Sequence, residues 1–307
     1  MLRLWLESNQ SVAMLIPFYG VRGSIAAPGP STTKYGGNTS CVHVRLNSGE
    51  NLIFDAGTGI RRLGVEMIKN EEPLLLLLSH GHWDHIQGYP FFGPIYQPGR
   101  QITVCQGSEA NAVALKTLLE QMDGSNFPVQ AMDLPSTIAT VDEVENYLAE
   151  RTFQTVRKDL NHPGGGHAYR IEEDGVTIAY ITDNELDPPD KPQTTYDEWV
   201  DFCQGVDLLI HDAQYDENDM PAKHGWGHSL ISQVRKLAVD AQVKNLVMYH
   251  HDPERTDAQL DEVAIESAKF FKSSNSIIGS YIAAEGLTFD LAQKKDPLVS
   301  TVNLFEF

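Results

Sequence analysis

Apolar residues along this chain come in short bursts that stop abruptly at polar clusters. Leu74 to Leu78 is an unbroken apolar run, and its length and flanks predict a strand buried on both faces. Val42–Leu46 and Asn51–Asp55 flank the turn sequence Asn-Ser-Gly-Glu and predict a hairpin. Further strands are expected from about Leu15, at Ile102–Gln106, Arg151–Val156, Ala168–Glu172 and Val176–Thr182, within Val206–Asp212 and Lys244–His251, and near Ser276–Ala283. Helices are expected at Ile60 to about Lys69, at Glu109–Gln121, after Ser229, and at Thr256–Lys272. The elements alternate without an internal repeat, a low-complexity tract or a linker, as in one α/β domain. That domain is expected to span 14–293, with terminal extensions at 1–13 and 294–307.

Composition narrows the function classes. A chain of 307 residues can bury a sizeable core, and its longest apolar run is far short of the ~20 residues of a membrane span. The N-terminal stretch lacks a basic cluster followed by a long apolar core, so no secretory leader is read and a cytoplasmic location is expected. Cys41, Cys105 and Cys203 have no CxxC spacing and are expected to be free thiols. The formal charge of −19 disfavours stable nucleic-acid binding. An anionic substrate would need a local positive centre.

The strand ending at Leu78 runs into His80, His82, Asp84 and His85, four metal-ligand side chains in six residues. An H-x-H-x-D-H loop can turn its first two histidines toward one cation and Asp84 with His85 toward another. Imidazole and carboxylate donors suit zinc, and also manganese or iron. The bland alternative is a polar loop without metal. More candidate donors stand at later strand ends, where α/β sheets place functional groups: His162, Asp183, and the pair His250 and His251.

With the segments HPGGGHAYRIEEDGVTIAYITD, LLIHDAQY, GWGHS and LVMYHHDP, this order of motifs resembles the metallo-β-lactamase fold hydrolases. More narrowly it is similar to the branch holding ribonuclease Z and cyclic-phosphate or cyclic-nucleotide phosphodiesterases, over roughly Phe18 to Pro253. The resemblance implies an αββα sandwich of two mixed β-sheets with helices outside and two divalent metal ions at one edge. Carried over residue by residue, His80, His82 and His162 would hold one ion and Asp84, His85 and His250 the other, with Asp183 bridging. His251 is the alternative to His250. The resemblance also implies a homodimer. Trp83 departs from the pattern, standing where a smaller residue is usual, and His167 reads as an exposed loop histidine.

The resemblance further implies that a metal pair lowers the pKa of bound water and clamps the phosphodiester oxygens. Asp84, His228 and Asp212 are the expected catalytic residues. His228 in GWGHS would protonate the leaving group and Asp212 in the HDA stretch would orient it, while Ser229 would cap the next helix; the alternative for His228 is an incidental histidine at a capped helix start. Asp55 is expected to orient a ligating imidazole, or else to form a turn. The Gly/Pro-rich stretch from Tyr19 to Cys41 offers Arg22, Lys34, Asn38 and Thr39 as substrate contacts, or plain strand connections. Tyr215 and Trp226 could stack on a ring, or belong to the core.

Three functions compete. The leading expectation is hydrolysis of a small cyclic nucleotide or related cyclic phosphodiester, a small anionic substrate. The second is tRNA 3′-processing of the ribonuclease Z kind, against which Gly107–Leu160 shows no Gly/Pro-rich basic arm. The third is a lactonase, thioesterase or non-catalytic metal sensor.

Overall fold

The computed structural model describes residues 14–105, 112–141, 144–291 and 297–301. Eight strands form one sheet: β1 (Met14–Gly20), β2 (Cys41–Arg45), β3 (Asn51–Phe54), β4 (Leu74–Leu77), β5 (Gln101–Cys105), β6 (Thr137–Thr140), β13 (Leu287–Leu291) and β14 (Leu298–Thr301). Their order is β14-β13-β1-β2-β3-β4-β5-β6, antiparallel as far as β3 and parallel from there on. The other sheet holds β7 (Gln154–Asp159), β8 (His167–Glu173), β9 (Val176–Ile181), β10 (Leu208–Asp212), β11 (Asn245–Tyr249) and β12 (Gly279–Ile282), in the order β12-β11-β10-β9-β8-β7. There β9 to β12 are parallel, and β7 and β8 antiparallel. The helices are α1 (Ile60–Met67), α2 (Trp83–Ile86), α3 (Ala112–Glu120), α4 (Val144–Ala149), α5 (Tyr196–Cys203), α6 (Ile231–Asp240) and α7 (Asp257–Ser273).

Three apolar clusters mark the interfaces of four layers. Phe18, Val42, Phe54, Leu75 and Leu77 of the first sheet meet Tyr169, Ile178, Tyr180, Ile210 and Tyr249 of the second in the central layer. Leu74, Leu76 and Leu78 point the other way, to Ile60, Leu63 and Leu118 on the outer helices. On the far side Ala179, Ile181, Leu209 and Leu246 face Trp199, Val234, Leu237 and Leu260. This αββα arrangement explains the unbroken leucine run, because β4 is covered on both faces. All three cysteines are buried free thiols. Among the described residues no helix is long and apolar enough to cross a membrane.

Several expected elements sit differently. The strand expected at Arg151–Val156 is β7, three residues later at both ends; it is an edge strand whose mixed pattern gives no sharp boundary. The elements β6, α2, α4, α5, β13 and β14 went unpredicted, α2 lying in the stretch expected as a loop. The two short strands β6 and β14 expose most of their residues, so no apolar alternation marks them. Strand β14 pairs with β13 beyond residue 293. The start of the helix expected from Glu109 and the extension 1–13 lie outside the described residues. His167 is buried in β8, 3.3 Å from Asp159, rather than exposed in a loop. Ser229 does not cap α6: the cap position is Leu230, and the Ser229 hydroxyl donates instead to the carbonyl of Asn184.

His43 gives the fold a pH dependence separate from the site. Burial pushes its imidazole down from 6.5 to about 4, and its Nε2–H donates to Asn51 Oδ1 at 3.0 Å. Between these two values the unfolded chain takes up a proton that the folded chain refuses. Stability should therefore fall as pH drops from 6.5 to about 4, at up to about 1.4 kcal/mol per pH unit from this group. Urea midpoints across that range should drop less steeply in His43→Gln than in the unsubstituted protein.

Candidate metal centre

The site forms where the strands of both sheets end, and tyrosines of the second sheet tie the two together there. Tyr180 donates to Asp55 at 2.8 Å, Tyr169 to the carbonyl of Leu78 at 2.7 Å, and Tyr249 to the carbonyl of Gly20 at 2.8 Å. Asp55, Asp183 and His250 have positive φ values of 60, 49 and 58°. Such a backbone turns each side chain out of its strand, a conformation that non-glycine residues adopt only when the surroundings support it. After β4, His82 is extended and begins the one-turn helix α2, which carries Asp84 and His85 and sets the His85 ring 4.3 Å from that of His80.

Two groups of donor atoms result, sharing Asp183. His80, His82, His162 and Asp183 form one; Asp84, His85, Asp183 and His250 form the other, with one ligand atom from each residue of a group within 4.8 Å of the others, and Asp183, Asp212, His228 and His250 meet the same limit beside them. Asp183 straddles them. Its Oδ2 lies 3.6 Å from both His80 Nε2 and His162 Nε2, and its Oδ1 lies 3.1 Å from His85 Nε2 and 3.0 Å from His250 Nε2.

In the second group each histidine turns its Nδ1–H outward, to Asp55 Oδ2 from His85 and to Gln214 Oε1 from His250, both at 2.9 Å. Their Nε2 atoms face each other at 3.2 Å, and Asp84 Oδ2 stands 3.2 Å from each. These separations match the edges of a tetrahedron with arms of ~2.0–2.1 Å, the length of a zinc–imidazole bond. Burial opposes charge on His85, yet Asp84, Asp183 and Asp55 hold its imidazole well above the ordinary histidine value. Three carboxylates thus crowd the His85 ring, and a cation among these donor atoms would balance their charge.

The first group is more open. His82 is exposed at its rim, whereas His80 and Asp183 are buried. His162 Nδ1–H donates to the carbonyl of Gly227 at 3.0 Å, leaving its Nε2 toward His82 Nδ1 at 2.9 Å. Burial pushes His162 down to about 4, so it is a neutral donor at physiological pH. His80 Nδ1 meets the Ser79 hydroxyl at 3.0 Å, which donates to Asp55, and His80 Nε2 is buried with no hydrogen-bond partner. An orphaned buried acceptor is costly unless something unprotonated binds it, and a cation fits.

His228 stands beside both groups, its ring 5.2 Å from that of His250 and 5.3 Å from that of His162. Its Nδ1 donates to Asp212 Oδ2 at 2.7 Å. The amides of Asn184 and Gln214 also donate to the Asp212 carboxylate, at 3.2 and 2.9 Å, and fix it in place. Burial alone would lower the basicity of His228, but the charge and hydrogen bond of Asp212 raise its pKa to about 9. Gly23 allows the N-terminal loop to close over His250: a Cβ there would lie 2.5 Å from the imidazole.

Each of the four expected substrate contacts has partners within the chain. Arg22 is fully buried and donates to the carbonyls of Gly36, Asp252 and Arg255, closing loops distant in sequence. Thr39 is fully buried against Thr58, and Asn38 donates to the Glu285 carboxylate. Lys34 is paired with Asp261 on α7. Tyr215 packs its ring on His228 and is 2% exposed, whereas Trp226 is exposed. His251 turns from the centre and donates to the carbonyl of Ala283 at 2.9 Å. Sequence reading missed Gln214, which orients His250, and Ser79, which links His80 to Asp55. The stretch HDAQY contains Gln214 two residues after Asp212, but no spacing rule marks it.

A sandwich of two mixed sheets with histidines and aspartates converging at one edge defines a metallo-β-lactamase-type protein. A family model described as Beta-lactamase superfamily domain matches residues 50–251, and the chain belongs to this family. Ribonuclease Z of Saccharolobus solfataricus is 40% identical over 246 residues, which is 68% of this chain and 81% of that relative. Ribonuclease Z of Thermoplasma acidophilum is 28% identical over 131 residues, 41% of this chain, and the match spans only 39% of that relative's length. In fold the chain is similar to the metallo-beta-lactamase fold protein YhfI from Bacillus subtilis, with a TM-score of 0.63 at 18% identity over 90% of this chain and 98% of that one.

Proposed function

We propose that this chain hydrolyses a small anionic phosphodiester, a cyclic nucleotide or related cyclic phosphate, at a two-metal centre. His80, His82 and His162 would hold one divalent cation and Asp84, His85 and His250 another, with the Asp183 carboxylate within reach of both groups. The observation that carries this reading is the reach of Asp183 into both donor groups, with the His228–Asp212 pair alongside. Nitrogen and oxygen donors in this geometry suit zinc, with manganese or iron as alternatives. Such ions, when bound, supply Lewis acidity toward phosphoryl oxygens and lower the pKa of water.

The chain's own residues do the rest. Asp55 and Gln214 hold the imidazoles of His85 and His250 in the tautomer that carries N–H on Nδ1 and leaves the Nε2 lone pair free. As water oxygen bonds to phosphorus, the bond to the leaving oxygen breaks and His228 Nε2 gives that oxygen its proton; the proton shed by the attacking water passes to solvent, from which His228 is reprotonated for the next turnover. Asp212 keeps the imidazole oriented and cationic before the transfer.

Tertiary detail supports a small substrate over a long polyanion. All four cations between residues 112 and 160 are engaged: Lys116 with Glu120, Arg151 with Glu50, Arg157 with Glu145 and Lys158 with Glu198. No electropositive arm remains there among the described residues to hold RNA. The Saccharolobus relative favours a second reading, tRNA 3′-end processing. Purified, metal-loaded protein should be tested on cyclic mononucleotides, an aryl phosphodiester, a lactone and a precursor tRNA. The cyclic and aryl diesters should be turned over fastest; cleavage of precursor tRNA with the higher kcat/KM would replace the first reading by the second. We also propose a homodimer, and a monomer mass in light scattering over a wide concentration range would rule it out.

A further inference from the structure

Two exposed indoles adjoin, along the chain, residues that build the first donor group, and take no part in the chemistry above. Trp83 is 73% exposed and Trp226 is 59% exposed. Trp83 directly follows His82. Trp226 directly precedes Gly227, whose carbonyl accepts from His162 Nδ1. Since His82 and His162 touch at 2.9 Å, both indoles are rooted at the same wall of the site, the one through which His82 is open to solvent.

Trp226 is not exposed through looseness of its segment. The amides of Gly225 and Gly227, on either side of it, donate to the two carboxylate oxygens of Glu185 at 2.9 and 3.0 Å. Glu185 is 3% exposed, and its own amide is bonded to the carbonyl of Asn161, the neighbour of His162. Gly227 has a φ of +87°, and a Cβ there would lie 2.1 Å from His162 Nδ1, so the backbone must pass this close for the turn to form. A buried carboxylate thus clamps the backbone on both sides of a large apolar side chain that is left in water. Apolar groups held at a site mouth by ordered backbone are pre-organised for a ligand.

We infer that Trp226, together with Trp83, forms a subsite for a flat aromatic group on the substrate, a nucleobase above all. This rests on the phosphodiesterase reading and narrows its substrate class to diesters that carry a base. A net charge of −19 opposes, over the chain as a whole, the holding of the remote part of an anionic substrate by charge. An aromatic face binds a base without needing charge, and it tolerates different bases because each presents a π face. Losing one such stack should weaken binding by roughly 5- to 150-fold.

The test is steady-state kinetics of the metal-loaded protein and its Trp226→Ala, Trp83→Ala and Trp226→Phe variants on adenosine 3′,5′-cyclic monophosphate and its base-free counterpart, 1-deoxyribose 3′,5′-cyclic phosphate. The two substrates share ring and leaving group and differ only in the base. The unsubstituted protein should prefer the base-bearing substrate, mainly through KM. Trp226→Ala should cut that preference by at least about fivefold, Trp83→Ala should cut it in the same direction, and Trp226→Phe should keep most of it. No preference in the unsubstituted protein, or equal losses on both substrates in Trp226→Ala, would overturn the subsite. Bis(4-nitrophenyl) phosphate runs alongside as a control for the reading beneath it: if this diester is untouched, the phosphodiesterase reading itself fails.

Discussion

Asp183→Ala is expected to lose both bound cations and essentially all phosphodiester hydrolysis. Among the described residues Asp183 is the one carboxylate that reaches both donor groups, with Oδ2 toward His80 and His162 and Oδ1 toward His85 and His250. Lewis-acid stabilisation by bound metal is worth several kcal/mol, and each ~1.4 kcal/mol is tenfold in rate, so turnover should fall by ~10³-fold or more. Metal analysis by mass spectrometry on the same samples separates loss of ions from loss of chemistry. His82→Ala makes the contrast, because its imidazole belongs to the first group alone; it should lose metal and turnover while retaining part of the second ion. Full metal content and full activity in Asp183→Ala would sink the two-metal assignment.

The second large effect concerns His228. If it protonates the leaving oxygen and binds no metal, His228→Ala should retain both ions and a near-normal melting temperature while the chemical step drops ~10²- to 10⁴-fold, the usual scale of general acid catalysis. The loss should depend on the leaving group. A cyclic nucleotide departs as a basic alkoxide and should suffer fully, whereas an aryl diester releases an acidic phenol and should suffer less. Asp212→Asn should show the same selectivity with a smaller loss, because that carboxylate acts through the imidazole it holds at 2.7 Å. Equal losses on both substrates would make His228 a phosphate-binding group. Loss of an ion would make it a ligand, an outcome that the grouping of His228 with Asp183, Asp212 and His250 gives a definite form.

The contacts of the N-terminal loop show where sequence reading reaches its limit. Arg22 and Lys34 look like anion contacts because they are cations in a glycine-rich loop. In the fold Arg22 is spent on the carbonyls of Asp252 and Arg255, some 230 residues away, and Lys34 on Asp261. A side chain's charge does not disclose whether backbone carbonyls will surround it. Glu185 and Gln214 are the reverse case. They are ordinary polar residues in sequence, and their roles come from partners 36 to 42 positions away.

What the sequence alone determined was the kind of element and the kind of chemistry. Two-sided burial writes itself as the unbroken run Leu74–Leu78, and ligand-rich strand ends write themselves as H-x-H-x-D-H, because both depend on residues adjacent along the chain. The structure decided everything that depends on distant segments meeting: that Asp183 spans both donor groups, that His250 turns inward while His251 turns to Ala283, that Asp55 serves His85 through its Nδ1, and that a clamped turn holds Trp226 at the rim. Such features hang on distances of about 3 Å between side chains brought together by tertiary packing, and no local pattern of residues encodes them.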